Sequence, residues 1–257
     1  MEATKKYELS NITIEFNGVT LHRIKALKDF SNVKAGDLGG WVEKEDNLSQ
    51  IDDAWIDENA KVYGNAQICG NVIVFDDAII YDNAKVYGNA HICNNAMVYD
   101  NAFVYGDAWV YGNAKVFGNA KVDGNAEVYG NAIIYDNAEV YGNAQICGKA
   151  QVFGNARIYD NAEIYGKSMV YGDAQVYGRA RISGDASVRC GADYIIFKNF
   201  WSSGRFFTWT RSNNMWSVGC FYGTGEELIR KAYKDSEKSG KEYEKIVRYV
   251  DSILADK

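Results

Sequence analysis

The stretch "VYGNAIIYDNAEVYGNAQI", Val128 to Ile146, writes nearly the same six residues three times. The aliphatic position recurs every six residues from Ile56 through Val62, Ile68, Val74 and Ile80 to Ile182 and Val188, always Val or Ile and never out of phase. Two residues before each stands Ala, except at Val72 and Ser168. A fixed short period of this length is the mark of a repeat architecture, in which each unit is stabilised by stacking on its neighbours.

Within a unit, A-x-V-Y alternates small, variable, aliphatic and aromatic. That is the period-two pattern of a strand with one buried face. The Gly-Asn or Asp-Asn that follows is turn chemistry, because Gly, Asn and Asp tolerate positive φ. Each hexapeptide is therefore one short strand plus one corner. Equal strands joined by equal corners must coil and stack, which predicts a parallel β-helix. The repeat also accounts for 25 glycines and no proline in 257 residues.

The "[VI]-Y-G-N-A-x" pattern resembles the hexapeptide repeat of the left-handed parallel β-helix superfamily, whose founding members are acyltransferases. The resemblance covers about Leu48 to Ala192 and implies three hexapeptides per triangular rung, about eight rungs, and a left-handed coil. The flanking segments "DLGGWVEKEDNLSQ" (Asp37 to Gln50) and "MWSVGCFYGTGEEL" (Met215 to Leu228) resemble phage and prophage hexapeptide-repeat proteins, a group without an assigned activity. That likeness implies a phage-type accessory role in the host cytoplasm, counter-defence by gripping a host protein or small signalling molecule.

The expected fold is mainly β. Residues 1–47 form an N-terminal β-hairpin cap around Asn17-Gly18, the strongest short hairpin signal. Residues 48–192 form the β-helix. Residues 193–257 form a C-terminal α+β module. Its three strand-like runs, "YIIFKNF", "RFFTWT" and "WSVGCFY", close the bottom of the solenoid. A Thr224–Glu227 capping box opens a helix near Gly225, Gly240 breaks it, and a second helix runs from about Glu242 to Leu254.

Stepping by eighteen sorts the outward residues by face. The first face carries Tyr63, Tyr81, Tyr99, Phe117, Tyr135, Phe153 and Tyr171 in one unbroken column. Beside them stand Ile79, Met97, Ile133 and Met169, apolar residues that packing between rungs does not require. Asp82, Asp100 and Asp136 at the adjoining corner read as an acidic rim. An apolar stripe with a charged border is the composition of an interface, so a homo-oligomer, dimer or trimer, is expected through this face. The second face is polar. The third holds Trp55, Ile73, Phe75, His91, Trp109 and Tyr111 in its upper half, where the N-terminal segment can cover it.

A net charge of −6 argues against a nucleic-acid partner, and no apolar run approaches the ~20 residues of a membrane span. Five scattered cysteines form neither a disulfide framework nor a zinc motif, so a reduced, cytoplasmic protein without metal is expected. No phosphate loop, dinucleotide fingerprint or Ser-His-Asp set appears, and no cofactor is expected. Acyltransferases of the superfamily use a histidine base, and His91 is the only candidate on the solenoid, with Cys93 its one reactive neighbour. Since no loop leaves the repeat to wall a pocket, a non-catalytic binding or scaffold protein is the leading expectation, and acyl transfer from acyl-coenzyme A the alternative. The C-terminal run "RFFTWTR" adds a candidate partner site: Arg205 and Arg211 for a carboxylate or phosphate, Trp209 for stacking.

Overall fold

A computed structural model describes residues 5–201 and 204–255. Twenty-three two-residue strands, β4 (Trp55–Ile56) to β26 (Ser187–Val188), follow one another at six-residue spacing. All but the last three pair in parallel with the strand eighteen residues on, as Ile80 with Val98 and Val98 with Val116. The result is a parallel β-solenoid of about eight turns with three walls. Its core is one continuous stack of fully buried Ala and Val or Ile. Ser168, where Ala is the rule, is also buried, and its hydroxyl donates to the Tyr165 carbonyl at 2.8 Å.

The Gly-Asn step has two separate reasons. The first corner residue takes positive φ, as at Gly130 (φ 70°), and an added Cβ there would lie 3.1 Å from the amide nitrogen of Gly148 in the next rung. The Asn side chains form ladders up the corners. From Asn65 through Asn83, Asn101, Asn119, Asn137 and Asn155 to Asp173, each amide donates to the next side-chain oxygen at 3.0 to 3.4 Å.

The N-terminal hairpin forms as expected. Strands β1 (Tyr7–Phe16) and β2 (Val19–Ala26) pair antiparallel about Asn17 and Gly18, both at positive φ. Strand β3 (Leu38–Val42) continues from β2 and then pairs in parallel with Lys61–Val62, so the first wall begins above the hexapeptide run.

Outside the strand pairs, the backbone bonds between rungs run one way: Trp55 N–H to Val72 carbonyl, Asp57 to Val74, Asn59 to Asp76, and so on down the molecule. The top of the solenoid therefore presents mainly carbonyls and the bottom mainly N–H groups, and the two caps supply opposite partners. At the top the buried Lys6 ammonium donates to the carbonyls of Asp52 (2.7 Å) and Ala54 (2.8 Å), although burial pulls its pKa down to about 8. The Tyr7 hydroxyl shares its proton between the carbonyls of Glu45 and Leu48, each at 2.8 Å. At the bottom, Thr208 Oγ1 accepts from the Arg181 N–H (2.9 Å) and Ser212 Oγ from the Ser187 N–H (2.7 Å).

Those acceptors sit on or beside a four-stranded antiparallel sheet, β27 (Tyr194–Lys198), β28 (Phe206–Thr210), β29 (Met215–Val218) and β30 (Phe221–Gly223). The run "WSVGCFY" is two strands here, not one, because the chain turns at Gly219 (φ 57°). Helices α1 (Gly225–Asp235) and α2 (Glu237–Ala255) pack on the sheet's outer side in a second core with Phe207, Trp209 and Trp216. The Thr224–Glu227 capping box is present. Gly240 does not break the helix. The break is at Ser236, which is extended and whose hydroxyl accepts from the Ser239 N–H, as an N-cap does. Gly240 lies inside α2, where a Cβ would come within 2.3 Å of the Tyr233 ring on α1, so its smallness serves helix contact.

Two outcomes check this description. Gly130→Ala forces a Cβ into the left-handed region and should cost about 1–2 kcal/mol. Gly130→Asn should cost less, because Asn94 already accepts the Gly112 N–H from this corner column at 3.2 Å; equal melting losses would contradict the corner account. Thr208→Val should cost about 1–3 kcal/mol by orphaning the Arg181 N–H, and the exchange protection of that amide should fall with it.

Candidate functional site

The first wall carries the feature with the clearest order. Seven aromatic rings from Tyr63 to Tyr171 stack face to face, 4.8 to 5.2 Å between centroids and within 9° of parallel. Rung spacing dictates this, because one ring per rung at ~4.8 Å leaves stacking distance and little else. Burial against neighbours pushes the Tyr81 hydroxyl pKa up to about 12. Ile79, Met97 and Ile133 lie half-buried beside the column, and Met169 is 37% exposed.

The structure thus brings Ile79, Tyr81, Met97, Tyr99, Phe117, Ile133, Tyr135, Phe153, Met169 and Tyr171 onto one surface. Its upper end is closed by the hairpin tip. Phe16 meets Tyr63 edge-on at 6.0 Å, Lys61 Nζ lies 5.1 Å from the Phe16 centroid, and Asn17 donates to the Tyr63 hydroxyl. The helices bury their apolar residues with the C-terminal sheet instead of on this wall. The acidic corner has a framework role that the sequence concealed. Asp100 and Asp136 accept the N–H of Gly118 and Gly154 in the rung below, each at 3.1 Å.

On the third wall the N-terminal segment covers only the top. Phe30 packs edge-on against Trp55 at 5.4 Å, while Ile73 and Trp109 remain 38% and 41% exposed. His91 lies flat on Trp109, 4.3 Å between centroids and 5° from parallel. Among the described residues its buried Nδ1 has no hydrogen-bond partner. Cys93 is buried, and that burial pushes its thiol pKa up to about 11. A general base is ordinarily oriented by a polar partner, and activated thiols need a lowered pKa. Among the described residues His91 has an aromatic partner in place of a polar one, and the Cys93 thiol is shifted the other way.

The C-terminal trio is not brought together. Trp209 is only 2% exposed, its face is packed in the second core, and its indole N–H donates to Asn214 at 2.7 Å. It offers no stacking surface. Both faces of β28 are buried, Phe207 and Trp209 toward the helices and Thr208 toward the last rung. Arg205 and Arg211 flank opposite ends of that strand, ~20 Å apart along extended chain, too far to grip one small ion. Arg205 instead lines a cleft of about 370 Å³ with Arg179 and Arg181. Those two were missed in the sequence, although "YGRARI" is visible there: Arg179 replaces the ladder Asn of the usual "YGNA".

Among the described residues no group of three or more His, Cys, Asp or Glu could hold a metal ion, and no helix is long and apolar enough to cross a membrane.

Comparison with known proteins agrees with this geometry. The family model described as the YdcK β-solenoid repeat matches residues 66–82, 96–112, 150–166 and 174–189, all within the solenoid. A relative in Escherichia coli (strain K12), named "Uncharacterized acetyltransferase YdcK", is 40% identical over 76 residues. That match covers 26% of this chain and 23% of the relative. By its repeat and by its fold, the chain is a hexapeptide-repeat parallel β-solenoid, four stretches of which match the YdcK repeat model.

Proposed function

We propose that the protein is a non-catalytic binding and scaffold protein that associates with further copies of itself, as a dimer or trimer, through the first wall. The observation that carries this is the stripe of Ile79, Met97, Ile133 and Met169 beside the aromatic column, below the point at Tyr63 where the hairpin tip meets the wall and away from the described helices, which pack on the C-terminal sheet. Seven rungs at ~4.8 Å and a wall about five residues wide give roughly 500 Å² of flat surface. Side-chain relief adds to that, bringing it toward the ~800 Å² per partner of an ordinary specific interface. Tyr and Met are also residue types enriched at interfaces. A host protein or small signalling molecule, the target class implied by the phage-type resemblance, is then held elsewhere on the assembled prism.

Light scattering of the full chain is expected to give a mass of two or three copies. Ile79→Lys with Ile133→Lys leaves the ring column intact and places unpaired charge in the contact, so it should yield monomers with a nearly unchanged melting temperature. A wild-type monomer at tens of micromolar would sink the proposal.

A second reading, acyl transfer with His91 as base, is favoured by one observation: the word acetyltransferase in the name of the E. coli relative. Against it stand the stacked imidazole and the unactivated Cys93. Calorimetry with coenzyme A and acetyl-coenzyme A is expected to show no binding. Acetyl-donor turnover that His91→Ala abolishes would establish the enzyme reading and displace the first.

A further inference from the structure

We propose that the cleft between the last rung and the C-terminal sheet is a binding site for a small molecule carrying at least two oxyanion groups. The cleft is lined by Arg179, Arg181, Arg205, Glu163, Asn161 and Phe206. It lies at the corner between the second and third walls, away from the aromatic stripe, so it stands or falls independently of self-association.

Charge is the first argument. Arg179, Arg181 and Arg205 line the cleft. Among the described residues that line it stands one carboxylate, Glu163, which accepts from Arg181 Nε at 2.8 Å. A formal excess of two positive charges (3 − 1) thus sits there, on a chain whose net charge is −6. Like charges gathered in a concavity repel one another and focus the field outward, and an anion relieves both effects.

Preorganisation is the second. Arg181 is held at three points: by Glu163, by the Gly219 carbonyl and by the Tyr165 ring, 5.4 Å away. Arg179 rests over Phe206 at 5.5 Å, so one ring supports Arg179 and Lys198 together. Beyond that ring, Arg179 makes no hydrogen bond or ion pair among the described residues, and it is exposed. Arg205 comes to the same place as Arg181, since a Cβ on Gly219 would lie 3.6 Å from Arg205 Nε. Guanidinium groups fixed in this way lose little freedom on binding, and their planar forks match carboxylate and phosphate oxygens.

Size is the third. A volume of about 370 Å³ holds roughly a dozen waters at ~30 Å³ each and falls at the low end of small-molecule sites. A single inorganic ion would leave most of that space to water, whereas a ligand with two or more anionic groups fills more of it.

Calorimetry on the full chain at near-physiological salt, with pyrophosphate and citrate as separate probes, tests the assignment. Saturable one-to-one binding of at least one probe is expected, with Arg179→Ala plus Arg205→Ala weakening it at least tenfold at unchanged oligomeric mass. The tighter probe assigns the ligand to phosphate or carboxylate chemistry. Should the alanine pair lower the melting temperature, Arg179→Gln plus Arg205→Gln retains the stems and must show the same loss. The proposal is overturned if neither probe binds, if binding survives in the arginine variants, or if Lys85→Ala plus Lys115→Ala, on upper rungs, weakens it equally.

Discussion

The bonds between rungs are the constraint from which the rest follows. Outside the strand pairs each runs from an N–H of one rung to a carbonyl of the next. A stack built this way has unlike ends, one short of donors and the other short of acceptors, and a buried unpaired backbone group is costly. The terminal modules are chemically matched to that polarity. Lys6 and Tyr7 bring donors to the carbonyl end, and Thr208, Ser212 and Asp193 bring acceptors to the N–H end. Exchanging the two caps would leave both ends unsatisfied, so the flanks are as much a part of the fold as the repeat.

The same constraint limits what the solenoid can do. Alanine, Val or Ile, and the Gly-Asn corner are committed to the core and to the ladders, so only the outward positions remain to carry function. They lie on flat walls, in columns ~4.8 Å apart, and no loop leaves the repeat to roof a chamber. Flat columns suit the recognition of another flat surface. They are poorly suited to desolvating a reacting group. Concavity arises where the regular coil stops, and the arginine cleft lies at such a place, between the last rung and the β27–β30 sheet.

The solenoid was fully legible because its period is written in every hexapeptide. So were the Asn17-Gly18 hairpin and the Thr224 capping box, since each depends on residues within a few positions of one another. What escaped depends on contacts between distant segments. Gly240 looked like a helix breaker, but its close approach to Tyr233 exists only once α1 and α2 pack. Trp209 looked like an exposed platform because alternation along "RFFTWTR" assumes one wet face, whereas β28 lies between the last rung and two helices. The corner aspartates looked like a rim because their bond to the N–H eighteen residues on is invisible in a linear reading. Arg179 was legible as a departure from "YGNA", but its meaning needs Phe206, from another sheet, to be seen beneath it.

Hydroxyl-radical footprinting across a dilution series tests most directly whether the first wall is the working surface. Met97 and Met169 report on that wall, and Trp109, on the third, serves as the internal reference. The expected result is that both methionines react freely in dilute protein and become protected as concentration rises, while Trp109 oxidises at a constant rate. Methionine reactivity that is flat across the series, or protection of Trp109 in place of Met97, would contradict the assignment of function to the aromatic wall.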